Sequence, residues 1–121
     1  MGRAVLGAPA LSDTEMQFPV LDESNFDARV LARAGVSVVD FWSLTCIPCR
    51  QMTRLLRQIA DEISHDILIG QVDADRNPAL VARYKVRGLP TLLLFKDGAL
   101  VETRTGIDRR QVLRKAIESH V

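Results

Sequence analysis

Along the chain, short β-branched runs alternate with stretches in which apolar residues recur at helical spacing. Val36 to Trp42 has the nearly continuous apolar character of a strand buried on both faces, as in parallel sheets, and 66–73 supplies a second such run. Phe18-Pro19-Val20-Leu21 predicts a short edge strand, because Pro19 has no N–H to offer a ladder. Between them, Ser24 is a candidate N-cap for a helix over 25–34 with Phe26, Val30 and Leu31 near one face, and Gly35 is its candidate stop. Met52, Leu55, Leu56, Ile59, Ala60 and Ile63 predict an amphipathic helix of about four turns with Pro48 in its first turn. Asn77 as cap and Pro78 as first helical residue open a shorter helix over 79–84.

The rhythm then changes. Runs 91–95 and 100–105 flank Lys96-Asp97-Gly98-Ala99, and Asp-Gly between such runs is a hairpin signal. Asp108, with Gln111 three residues on, predicts a capping box for a last helix carrying Val112, Leu113, Ala116 and Ile117. Strand and helix in alternation call for parallel strands with right-handed crossovers, and the final hairpin adds antiparallel ones. The expected fold class is α/β: a central mixed sheet of about five strands flanked by four helices.

Length and composition narrow this reading. A chain of 121 residues, 47% hydrophobic, can bury one core without a stapling framework. The expected organisation is a flexible N-terminal extension over 1–17 and one domain over 18–121. Within the extension, the apolar run from Ala4 to Leu11 is broken by Gly7 and Pro9, unlike an export signal. A formal net charge of +1 argues against a chain-wide grip on nucleic acid or an anionic membrane. No apolar stretch approaches the roughly 20 residues that span a bilayer.

The chemistry concentrates in Cys46-Ile47-Pro48-Cys49, which holds both cysteines of the chain. Its thiols would stand at the mouth of the long helix, where unpaired amide N–H groups and the positive dipole end favour a thiolate. Taken alone, the pair fits a metal site, a redox sensor or electron transfer. A structural zinc site would need a further C-x-x-C or histidine ligands, and the only imidazoles, His65 and His120, fall at a helix end and at the terminus. No metal is therefore expected. Asp40 interrupts the buried run ahead of the thiols, and an acid there must be paired, neutral or useful in proton transfer. Arg50, Arg54 and Arg57 line up at i, i+4 and i+7 as a basic stripe, ordinarily a solvated face.

Val39-Asp40-Phe41-Trp42, the Cys46 to Cys49 motif, Val86-Arg87-Gly88-Leu89-Pro90-Thr91 continuing to Asp97-Gly98, and Gly106 follow one another as in a thioredoxin. The chain resembles that family from about Phe18 onward. The resemblance implies a thioredoxin fold and a protein-disulfide reductase in which Cys46 attacks, Cys49 resolves and Asp40 transfers a proton. It implies a cis Pro90 beside the disulfide, and a substrate-binding surface of Trp42, Ile47, Pro48, Gly88, Leu89, Pro90 and Gly106. No bound cofactor is implied beyond the redox-active Cys46–Cys49 disulfide. The implied setting is a cytoplasmic monomer that takes disulfide-containing proteins as substrates and a flavoprotein thioredoxin reductase as electron donor. A binding or chaperone module with little redox turnover is the alternative. The chain departs from the family pattern at Thr45, where tryptophan is usual, and at Ile47, where glycine is. Arg54 stands in place of a mid-helix proline, and Gln71 in place of a lysine near the buried acid. Loss of that cation predicts an Asp40 that is more readily protonated.

Overall fold

The structure, a computed structural model, describes residues 18–121. The expected N-terminal extension lies outside the described residues.

Five strands form one mixed sheet: β1 Val20–Leu21, β2 Val36–Trp42, β3 Leu68–Asp73, β4 Thr91–Lys96 and β5 Ala99–Thr105, in the order β1-β3-β2-β4-β5. β1, β3 and β2 run parallel, and β4 and β5 are antiparallel to their neighbours. The α-helices are α1 Ile47–Glu62, α2 Pro78–Arg83 and α3 Arg110–Glu118. With a π-helical segment, Asp27–Leu31, they make four helical elements, and a 3-10 turn, Ala74–Arg76, precedes α2.

The parity of β2 sorts the core into two layers. Val36 and Val38 share one layer with Met52, Leu56 and Ile59 of α1 and Leu113 and Ile117 of α3. Val39 and Phe41 face the other, among Phe26, Val30, Leu80 and Phe95. β2 is buried along nearly its whole length, as its apolar run requires, and β1 is the expected edge strand. Asp97 and Gly98 turn the β4–β5 hairpin with φ of 52° and 81°, the left-handed pair that a two-residue turn of this hand demands.

Two expected caps are placed differently, and a third is in place but bonds elsewhere. Asp22, not Ser24, begins the first helical segment: its Oδ1 accepts from the N–H groups of Ser24 and Asn25, and Asn25 Oδ1 accepts from the Asp22 N–H. This reciprocal pair uses the shorter reach of Asp, and the segment closes as one π-type turn rather than a helix over 25–34. Asn77 holds the expected N-cap position of α2, ahead of Pro78, but its side chain makes no capping hydrogen bond there. Its side chain spans Glu23 N–H and the Asp73 carbonyl, while Glu23 Oε2 takes the Ala79 N–H at 2.7 Å. Asp108 is drawn to Arg104 at 2.8 Å instead of capping α3, because a guanidinium outcompetes a neutral amide for its carboxylate. On α3, Val112 is exposed and Leu113 and Ile117 carry the packing.

Candidate active site

The C-terminal end of β2 leads through Ser43, Leu44 and Thr45 into Cys46, which is the N-cap of α1. Cys46 and Cys49 are joined in a disulfide with Cα atoms 5.3 Å apart. Cys46 Sγ accepts a hydrogen bond from Cys49 N at 3.2 Å, so the sulfur takes the place of a capping oxygen and shares that amide with the Cys46 carbonyl, also at 3.2 Å. Cys46 is part-exposed and Cys49 is buried. Pro48 occupies the first turn, where its missing N–H costs nothing, and Ile47 stands 73% exposed beside the part-exposed sulfur.

Strand register gathers the remaining residues at one end of the sheet. Phe41 pairs with Thr91, so Pro90 follows at the level where β2 gives way to the cysteine loop. Thr91 pairs with Thr105, which sets Gly106 beside Pro90, and Gly106 N donates to the Pro90 carbonyl at 2.8 Å. The Leu89–Pro90 peptide bond is cis. Thr91 Oγ1 closes this corner by donating to the Gly88 carbonyl at 2.6 Å. Gly106 has φ of 92° with no atom within 4 Å of a hypothetical Cβ, so its backbone conformation, not crowding, calls for glycine.

Asp40 lies fully buried on the side of the sheet that α1 covers. Gln71, its register partner on β3, donates from Nε2 to Asp40 Oδ2 at 2.9 Å and to Thr53 Oγ1 at 3.0 Å. Thr53 in turn donates to the Cys49 carbonyl at 3.1 Å. Burial pushes the Asp40 carboxyl up to about 7, and the single Gln71 hydrogen bond pulls the other way without restoring the usual value. Asp40 Oδ1 has no hydrogen-bond partner, so Gln71 alone offsets the cost of burying the charged form.

A groove of about 580 Å³ opens between α1 and the β1–β3 edge. Gln71, Thr53 and Cys49 line its polar part, and Trp42 and Leu44 an apolar part. Arg50, Arg54 and Arg57, read from the sequence as a solvated stripe, also line it. Thr53 gives no sign of its role in the sequence, because a threonine on a helix carries no signal of its partner. Gln71 is visible there only as a departure from the family pattern.

The family model for thioredoxin matches residues 17–119. The chain belongs to the thioredoxin family. Thioredoxin of Staphylococcus saprophyticus is 35% identical over 99 residues, covering 82% of this chain and 93% of that protein. Thioredoxin of Rhodospirillum rubrum is 34% identical over 101 residues, 84% and 97% of the two chains. A mutant thioredoxin from Halobacterium salinarum superposes with a TM-score of 0.77 at 31% identity, covering 87% of this chain and 91% of that one. Family and cysteine pair together make the protein a thiol–disulfide oxidoreductase of the protein-disulfide reductase kind. Thioredoxins act on disulfide substrates and are reduced by thioredoxin reductase. Among the described residues there is no cluster of three or more potential metal ligands, and no helix is long and apolar enough to cross a membrane.

Proposed function

We propose that the protein works in the reducing direction, with Cys46 as nucleophile, Cys49 as resolving thiol and Asp40 as proton acceptor for Cys49. The observation that carries this is the asymmetry of the pair: the part-exposed Cys46 sulfur caps α1, and Cys49 is buried on the same first turn. The Cys46 thiolate attacks one sulfur of a partner disulfide, forming a mixed disulfide and expelling a thiolate that takes up a proton. Cys49 then gives up its proton and attacks Cys46 Sγ. The second substrate thiolate leaves and takes up a proton in its turn, so the substrate has gained two electrons and two protons and the Cys46–Cys49 disulfide has formed.

Burial of Asp40 supports the proton-transfer role, since a carboxyl that titrates near 7 can both take and release a proton at neutral pH. The corner built by Gly88, Leu89, Pro90 and Gly106 supports docking of an extended substrate segment through backbone hydrogen bonds. Trp42, Ile47 and Pro48 supply its apolar border. We further propose that residues 18–121 are the working domain and the disulfide its only redox group. The protein would act as a cytoplasmic monomer recharged by a thioredoxin reductase, with disulfide-bearing proteins as electron acceptors.

The test is disulfide reduction driven by dithiothreitol, comparing wild type with Cys46→Ser and Cys49→Ser. The first variant should lose turnover by about 10³-fold or more, and the second should accumulate a mixed disulfide through Cys46. An inactive wild type that still binds partners would instead establish the docking-module reading. Absence of histidine between the cysteines favours a potential near the −270 mV typical of thioredoxins, and a value close to about −120 mV would sink the reducing assignment.

A further inference from the structure

The groove beside the disulfide combines features that the exchange reaction itself does not use. Arg50, Arg54 and Arg57 border it from one helix. At 1.5 Å per residue, they are spaced by roughly 6 Å and then 4.5 Å along the α1 axis. Among the described residues, neither Arg50 nor Arg54 has a carboxylate partner, whereas Arg33, Arg83, Arg104, Arg110 and Arg114 each have one. The one acidic side chain that lines the groove, Asp73, is already engaged: Oδ1 accepts from Asp75 N at 3.0 Å and Oδ2 lies 3.8 Å from Arg76 Nε. The groove is thus a local positive field on a chain of net charge +1.

An apolar rim adjoins this charged part of the groove. Val20 and Leu44, which line it, are 71% and 69% exposed, and Trp42 is part-exposed. A small anion has no use for such a rim, whereas a polypeptide with alternating character covers both. In an extended segment, side chains on one face recur about every 6.6 Å, close to the spacing of Arg50 and Arg54.

We propose that this groove seats an acidic extended segment of disulfide-bearing partner proteins, with carboxylates on Arg50 and Arg54 and an apolar side chain against Trp42 and Leu44. The inference rests on the reading that protein disulfides are the substrates, and it names a charge class among them. Arg54, a departure from the family pattern, would then act in partner selection. Electrostatic complementarity of this kind governs encounter and discrimination more than the exchange step.

Trp42 is the only tryptophan of the chain and lines the groove, so its fluorescence reports occupancy without any turnover. The probe is a cysteine-free octapeptide with glutamate at alternate positions and leucine between, compared with the same peptide carrying glutamine. The glutamate peptide should give a saturable change, weakened about tenfold by Arg50→Gln/Arg54→Gln and abolished at about 0.5 M salt. Both arginines are exposed, so the double variant should stay folded. Equal titration by the glutamine peptide, an unchanged affinity in the double variant, or the same response to inorganic phosphate at matched concentration overturns the proposal. A second arm measures kcat/KM on two peptide disulfides flanked by glutamate or glutamine: the ratio should be about ten in wild type and near one in the double variant. Selective binding without reduction of either disulfide would reject the reductase reading and leave the groove's charge selectivity standing. Reduction with a ratio of one in wild type would do the reverse.

Discussion

On the side of the sheet covered by α2 and the π-helical segment, Phe26, Tyr84 and Phe95 form a ring cluster with centroids 5.5 to 5.9 Å apart, surrounded by aliphatic residues. On the side covered by α1 and α3, the aliphatic packing gives way at the cysteine end to Asp40, Gln71 and Thr53. The three central strands, β2, β3 and β4, each serve both layers through their alternating side chains. The difference teaches where a redox protein of this size can keep an expensive polar group: the aromatic layer provides stability that the catalytic layer gives up.

Phe26→Ala attacks the aromatic layer at a fully buried ring and should cost about 3–5 kcal/mol in urea unfolding. Redox turnover of the remaining folded protein should barely change. A comparable loss of turnover per folded molecule would show that the two layers are not separable.

Asp40 is the next largest lever, and its sign is unusual. Its carboxyl titrates at about 7 in the folded protein against an ordinary value of 3.8, so between those values the folded chain holds a proton the unfolded chain has lost. Stability of the oxidised protein should therefore fall as pH rises from about 4 to 7 and level off above, by an upper bound on the order of 4 kcal/mol. Unfolding measured across that range should show this slope in wild type and not in Asp40→Asn. Parallel curves would mean that the carboxyl ionises freely in the fold.

Gly98→Ala tests the seam between the layers' connections. A Cβ there would collide with the Leu31 carbonyl oxygen, at a φ of 81°, so the variant should lose about 2 kcal/mol or more. Gln71→Lys should change stability less. It should draw the Asp40 titration downward, visible in the carboxyl's infrared or NMR titration, and an unmoved carboxyl would show that the added ammonium points into the groove. The smallest effect belongs to His120→Gln. The ring meets Glu102 at 2.9 Å, and its loss should cost no more than about 0.5 kcal/mol.

Much of this architecture is legible in residue order. The continuous β2 run, the Asp97-Gly98 turn and the helical spacing from Met52 to Ile63 follow local rules that tertiary packing does not override. The cysteine pair and Asp40 are conspicuous for the same reason, each breaking or ending a pattern. Caps are the least legible. Glu23 serves Ala79 across 56 residues and Asp108 turns back to Arg104, choices that depend on which donor the fold brings near. Thr53 and the reach of the arginine stripe belong to the same class: their roles come from neighbours on β3 and β1, which no local pattern announces.

The sulfur that caps α1 is also the one proposed to attack, which would make the first turn of the helix a sensor of the electron count. As a thiolate, Cys46 would hold the Cys49 amide more strongly than it does in the disulfide, because a charged acceptor makes the stronger hydrogen bond. Hydrogen exchange at that one amide should slow when the protein is reduced above the thiol's titration, while amides in the middle of α1 keep their rates. Each turnover would then tighten and loosen a single turn of backbone, leaving the rest of the helix as a rigid mount.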